Sequence, residues 1–244
     1  MQYQQQMTAL GLNLCRKKLL DEREFETIES AARQVAEELA SVLQRALATR
    51  GQAVIAVSGG QTPRLVYAHL CHLAVDWGRV TVTLTDERWV PPCDSQSNEW
   101  LVRSYLTVDR DSTYTFVPLF GGEDTPEAGQ KACETRLESL AMPFDAVYLG
   151  MGSDGHIASL FPSEVTIDCR DQLCVPVPSS GSRVSRISLT VPALLRSRQL
   201  FLLFSGADKQ SAYSRAKMQG DVHDVPLRAI LQQDKVPVTV FWAR

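Results

Sequence analysis

The feature that most constrains this chain is an alternation of short, almost wholly apolar runs with amphipathic helical stretches, a turn rich in glycine or charge standing between them. From about Arg23 to Arg50, apolar residues recur at steps of three and four: Phe25, Ile28, Ala32, Val35, Leu39, Val42, Leu43, Ala46 and Leu47. That spacing predicts a helix, and Gly51 stands where its C-cap belongs. AVIAVS (53–58) then reads as a β-strand, followed by the turn GGQTP. Thr62 and Pro63 open a second helix, because proline fits the first turn and threonine can cap it. Downstream, RVTVTLT (79–85) reads as a strand, SNEWLVRSYL (97–106) as a helix capped by Ser97, and TPEAGQKACETRLESL (125–140) as a helix. FDAVYLGM (144–151), RISLT (186–190), QLFLLFS (199–205) and VPVTVFWA (236–243) read as strands, with a helix at ADKQSAYSRAKM (207–218). Strands apolar on both faces must be covered on both faces. The expected fold is therefore one doubly wound, mostly parallel, Rossmann-like α/β domain over residues 1–244, with Ser179–Ser185 as a polar loop inside it.

Composition narrows the class. Of 244 residues 44% are hydrophobic and 22% charged, enough for a full core. Twenty-five Lys and Arg against 28 Asp and Glu leave a net charge of −3, so no global basic field holds nucleic acid or a membrane surface. A small anion needs only a local cluster of donors. The six cysteines are scattered without a CxxC pair and read as reduced thiols. The first 22 residues carry no apolar run long enough for a signal peptide or membrane span, so a cytoplasmic setting is expected. His69, Cys71 and His72 read as helix residues and not metal ligands; neither a metal nor a cofactor is expected.

Open parallel sheets bind ligands beyond the carboxyl ends of their strands, so the loops that follow strand-like runs matter most. Four carry chemistry. Ser58-Gly59-Gly60-Gln61-Thr62-Pro63 can present backbone N–H groups at a helix start, which suits a phosphate or carboxylate. Asp86-Glu87-Arg88-Trp89-Val90-Pro91-Pro92 with Ser97-Asn98 sets a planar cation and a hydrogen-bond acceptor at a strand end. Gly150-Met-Gly-Ser-Asp-Gly-His-Ile-Ala-Ser-Leu-Phe-Pro162 places Asp154 and His156 among three glycines, and histidine is the commonest proton mover near neutral pH. The same stretch contains a formal GxGxxG, but Pro162 leaves hardly two turns of helix, which argues against a dinucleotide. Arg186 and Lys209 complete the set as cations near strand ends. There is no P-loop, HExxH or GxSxG.

Taken together, these pieces resemble the 6-phosphogluconolactonase family, within the glucosamine-6-phosphate isomerase/deaminase-like superfamily. Ser58–Pro63, Asp86–Pro92 with Ser97-Asn98, and Gly150–Pro162 carry the resemblance, and Arg186 and Lys209 follow in the expected order. It implies hydrolysis of 6-phospho-D-glucono-1,5-lactone to 6-phospho-D-gluconate in the oxidative pentose phosphate pathway. His156 is then the expected general base on water, with Asp154 shaping the loop or orienting it. Ser58, Gly59, Gly60, Arg186 and Lys209 become candidates for the phosphate and its neighbourhood. Arg88 is expected at the phosphate or the developing oxyanion; Asp86 and Asn98 are expected to bind substrate hydroxyls or to hold Arg88. The expected partner is the sugar-phosphate lactone, and the expected assembly a monomer or weak dimer.

Two alternatives stay open. The deaminases of the superfamily usually continue Asp-Glu-Tyr where this chain has Arg88, and Phe-Asn-Glu-Pro where it has Ser159-Leu160-Phe161-Pro162. Sugar-phosphate-sensing modules bind ligand without turnover, but they normally carry a DNA-binding helical domain that the first 22 residues cannot supply. Cys93-Asp94 departs from the Asp-His often found in the lactonases, with little effect expected.

Overall fold

The computed structural model describes residues 19–108 and 113–244. Cys15 and most of the N-terminal segment read above lie outside the described residues. The chain runs β1 (Leu20–Phe25), α1 (Ile28–Arg50), β2 (Ala53–Val57), α2 (Gln61–Leu70), β3 (Val80–Leu84), β4 (Asp86–Arg88), α3 (Asn98–Tyr105) and β5 (Thr115–Phe116). It continues with α4 (Pro126–Glu138), β6 (Ala146–Leu149), β7 (Cys174–Val177), β8 (Arg186–Leu189), α5 (Val191–Leu195) and β9 (Leu200–Ser205). Helices α6 (Ala207–Lys217) and α7 (Arg228–Leu231) precede the last strand, β10 (Val238–Ala243).

Seven strands form one parallel sheet in the order β1-β10-β9-β6-β2-β3-β5. The expected fold class is the one observed. Every side chain of β2 and β6 is buried, as is all of β9 but its last residue. That is why these runs read as continuous apolar segments. Helix α1 is set by its caps: Thr27 Oγ1 accepts from Ser30 N at 3.1 Å, and Gly51, at φ 76°, donates to Leu47 O at 3.0 Å. Its inner face, from Ala31 and Val35 through Leu39 and Leu43 to Leu47, packs on β9, β10 and α2. Among the described residues no helix is long and apolar enough to cross a membrane.

Four expectations need correction. Thr62 does not cap the second helix, which starts at Gln61 after Gly60 without a side-chain cap. Residues 23–25 do not start the first helix; they finish β1, which pairs with β10 from Leu20↔Val238 to Phe25↔Ala243. As an edge strand β1 carries Asp21, Glu22, Arg23 and Glu24, so its pattern is half-polar and merges with the following helix in sequence. RISLT does not join the parallel sheet either. It forms β8, the middle strand of a small antiparallel sheet, β4-β8-β7, registered by Asp86↔Ser188, Arg88↔Arg186 and Val177↔Arg186. The chain turns out of β3 at Thr85, and β4 pairs with β8 instead of prolonging the main sheet. Cys71 and His72 sit just past the end of α2 at Leu70, while His69 in its last turn bonds Glu29 at 2.6 Å.

From β2 the sheet grows through β3 to β5 on one side and through β6, β9 and β10 to β1 on the other. Strand order therefore reverses beside β2, and a crevice opens there beyond the carboxyl ends of β2 and β6. The small sheet stands over this crevice and carries Asp86, Arg88 and Arg186 to it.

Candidate active site

Ser58 follows β2 directly. Its Oγ shares a hydrogen bond with Thr85 Oγ1 at 2.8 Å and accepts weakly from Gly150 N at 3.4 Å, so it ties together the ends of β2, β3 and β6. Tyr67 Oη donates to its carbonyl. Gly59 is there because a Cβ would overlap the Asn98 side chain, and Gly60 turns the chain at φ 108°. Helix α2 starts at Gln61 with no side-chain cap on its first N–H groups, and Gly60, Gln61, Thr62 and Pro63 line the crevice.

Asp86 is buried. Its Oδ2 accepts from Ser159 Oγ at 2.6 Å, while Thr85 Oγ1 (3.4 Å) and Asn98 Nδ2 (3.5 Å) approach Oδ1. Asn98 Nδ2 also donates to the Asp86 carbonyl at 2.8 Å, and Asn98 Oδ1 accepts from Arg88 Nη1 at 2.9 Å. Gln96 O accepts from the same Nη1 at 2.6 Å, so Arg88 is steered by the turn that opens α3. Sequence reasoning missed Glu87. Its buried carboxylate accepts from Arg88 N (2.7 Å), Ser97 Oγ (2.9 Å), Asn98 N (2.7 Å) and Glu99 N (2.8 Å), clamping β4 to the start of α3. Burial pushes this carboxyl up to about 7 against the pull of those donors. The signal was available: an acid ten residues before a Ser97 cap suits the free N–H groups of a helix start.

The loop after β6 holds the histidine. Asp154 Oδ1 accepts from His156 N at 3.0 Å and lies 2.7 Å from His156 Nδ1. Burial pushes the Asp154 carboxyl up, but the hydrogen bonds and charge of His156 outweigh it and hold it at about 2. A carboxylate can only accept, so Nδ1 carries the hydrogen and Nε2 is left for chemistry. Gly152 N donates to His156 O at 3.0 Å and Gly155 N to Gly152 O at 3.1 Å. A Cβ on Gly152 would overlap the imidazole, and Gly155 sits at φ 90°. Phe161 packs against His156 with ring centres 4.5 Å apart.

Arg186, on β8, reaches Ser159 Oγ with Nη1 at 3.3 Å and comes within 3.8 Å of Asp86. Burial lowers its pKa, partly offset by Asp86. Arg183 and Arg186 stand over Phe161 at 3.9 and 5.4 Å from its ring centre, and Glu164 pairs with Arg183. Lys209 lies in the first turn of α6, where burial pushes its ammonium down.

The ends of these segments enclose one cleft of about 260 Å³. Of the residues picked out from sequence, Ser58, Gly59, Gly60, Asp86, Arg88, Asn98, His156, Arg186 and Lys209 line it. Asp154 does not; it stands behind His156. The cleft is also lined by Gln61, Thr62, Met151 and Ala158, which lie in the loops singled out from sequence, and by Leu203, which does not. Ala158 takes the left-handed conformation, at φ 48°, that non-glycine residues seldom adopt. Three cations, an oriented imidazole and open helix N–H groups in one cleft suit an anionic substrate and a proton transfer.

Residues 26–242 match the family described as glucosamine-6-phosphate isomerases/6-phosphogluconolactonase. The chain belongs to this family. It is 35% identical over 224 residues to the 6-phosphogluconolactonase of Rhizobium meliloti (strain 1021), spanning 90% of this chain and 97% of that one. It is 41% identical over 214 residues to the 6-phosphogluconolactonase of Caulobacter vibrioides, spanning 84% and 89%. The crystal structure of a 6-phosphogluconolactonase from Shewanella baltica OS155 superposes with a TM-score of 0.89 at 40% identity, covering 93% of this chain and 99% of that one.

Proposed function

We propose that this family member hydrolyses 6-phospho-D-glucono-1,5-lactone to 6-phospho-D-gluconate, as a cytoplasmic enzyme of the oxidative pentose phosphate pathway. The observation that carries this is His156: its Nδ1 is fixed by Asp154, its ring lines the cleft, and Arg88, Arg186 and Lys209 line the same cleft. The lactone carbonyl is an activated ester, so a placed base and charge stabilisation suffice, without metal or cofactor. His156 Nε2 takes a proton as water attacks C1, forming the new C1–O bond and a tetrahedral oxyanion. The imidazolium then returns that proton to the ring oxygen as its bond to C1 breaks, and the acid ionises in water. Asp154 keeps the imidazole in the right tautomer and steadies its charged form.

Arg186, Lys209 and the N–H groups from Ser58–Gly60 into α2 are assigned to the phosphate. Arg88, held by Asn98, is assigned to the phosphate or the oxyanion, and Asp86 to the substrate hydroxyls. Arg88 in place of tyrosine, and Ser159-Leu160-Phe161-Pro162 in place of an acid-bearing segment, favour the lactonase over the deaminase. The working unit is a single domain over 1–244, a monomer or weak dimer with no nucleic-acid or membrane partner. One purified sample tests the reading in three parallel assays: lactone hydrolysis above the spontaneous rate, ammonia release from glucosamine-6-phosphate, and sugar-phosphate binding. Hydrolysis together with binding, and no ammonia release, is expected. Ammonia release, or binding without any turnover, overturns the reading.

A further inference from the structure

Ser159 is completely buried, yet its hydroxyl lies between two groups of opposite charge at the cleft. Its Oγ donates to Asp86 Oδ2 at 2.6 Å and accepts from Arg186 Nη1 at 3.3 Å. Its backbone N donates to Ser188 Oγ at 3.1 Å, on the same strand as Arg186. Between Asp86 and Arg186 themselves the closest approach is 3.8 Å, too long for a hydrogen bond. The serine hydroxyl fills that gap. Ala158, just before it, lines the cleft in a strained left-handed conformation, and the chain turns there so that Ser159 points inward.

A buried carboxylate and a half-buried guanidinium this close attract strongly, and their preferred contact is direct and bidentate. Such a pair would draw Arg186 onto Asp86 and occupy the N–H groups a phosphate needs. We propose that Ser159 is a positioning residue that keeps Asp86 and Arg186 bridged and out of direct hydrogen-bond contact, so that the guanidinium stays available to the phosphate of the substrate. This inference rests on the lactonase reading. It assigns Ser159 no contact with substrate: the residue acts through Arg186.

The test compares two substrates on the same protein sample: the phosphorylated lactone and unphosphorylated glucono-1,5-lactone. The ratio of their kcat/KM values cancels the folded fraction of the sample. In Ser159→Ala the ratio should fall by about tenfold, chiefly through KM for the phosphorylated lactone, the size expected for losing one hydrogen bond to a charged group. On an Arg186→Ala background the same change should leave the ratio where Arg186→Ala alone puts it. Ser159→Cys, close in volume and only a weak donor, should move the ratio the same way, and it serves if Ser159→Ala does not fold. An unchanged ratio in Ser159→Ala or Ser159→Cys, with either substrate still turned over, overturns the positioning role. So does an equal fall for both substrates. Failure of the wild type to hydrolyse the phosphorylated lactone overturns the functional reading instead, which keeps the two failures apart.

Discussion

The chain folds the same small device twice, and only one copy faces the cleft. In Asp154-Gly155-His156, Asp154 Oδ1 accepts the His156 backbone N–H at 3.0 Å and lies 2.7 Å from Nδ1. In Asp221-Val222-His223 the corresponding distances are both 2.9 Å. The surroundings differ. His223 Nε2 is taken by Asp168 Oδ2 at 2.9 Å, and the His223 carbonyl accepts from Ser163 N at 2.8 Å, so this copy joins two surface segments. His156 has Phe161 against its ring and the cleft before it, and among the described residues no hydrogen bond occupies its Nε2. The central residue differs too: Gly155 sits at φ 90° with Val225 where a Cβ would go, whereas Val222 needs no such freedom. An Asp-x-His turn fixes a tautomer. Whether that histidine does chemistry depends on a free nitrogen, a cavity and cations nearby.

The comparison breaks or sharpens by substitution. His156→Ala should lower kcat by about 10²–10⁴, the usual worth of a general base, once spontaneous hydrolysis is subtracted. His223→Ala should leave kcat within about threefold, because surface substitutions away from a site change little. Equal losses in steady-state assays would erase the distinction between the two turns. Asp154→Asn should cost about 10- to 100-fold in kcat, the worth of a hydrogen bond to a charged group, while Asp221→Asn should leave kcat near wild type. Arg186→Ala and Lys209→Ala should each raise KM for the phosphorylated lactone by about tenfold and respond little to removal of the phosphate. Fully additive effects of residue and phosphate would remove them from the phosphate site.

Smaller effects belong to stability. The hydrogen bonds to Asp221 and then Asp168 raise the His223 imidazole above its ordinary 6.5. The stabilisation is therefore full below pH 6.5 and lost as pH rises through the raised value. Melting curves of wild type and His223→Gln should differ most below pH 6.5 and converge as pH rises through the raised value; a gap that widens with pH would contradict the pairing. Smallest of all is the expected effect of dialysis against EDTA, which should leave lactone hydrolysis unchanged. Asp86 and Asp154 are already engaged by Ser159 and His156, and an activated ester gives a metal little to do.

What could be read from the sequence follows the same division between local device and surroundings. The central strands were legible because β2, β6 and β9 are buried on both faces and so wholly apolar. Helix α1 was legible from its 3.6-residue period and Gly51, and α3 from its Ser97 cap, which accepts from Trp100 N at 3.1 Å. Ser58–Pro63, Gly150–Pro162 and Lys209 were legible because they follow the carboxyl ends of β2, β6 and β9, whereas Asp86, Arg88 and Arg186 reach the cleft from the small sheet. Strands β1 and β4 were not: one is a charged edge, and the other is three polar residues, Asp86-Glu87-Arg88, whose pairing with β8 depends on a partner a hundred residues away. The bridge through Ser159 was invisible for the same reason, since Asp86, Ser159 and Arg186 become neighbours only after folding.

The central claim is that His156 works on the transition state and not on binding. Titration of 6-phospho-D-gluconate into His156→Ala and wild type by calorimetry tests it directly, because the product occupies the cleft without turnover. The account predicts a Kd within about threefold of wild type in the variant whose kcat falls by about 10² or more. A loss of product affinity as large as the loss of kcat would make His156 a binding group and contradict the account.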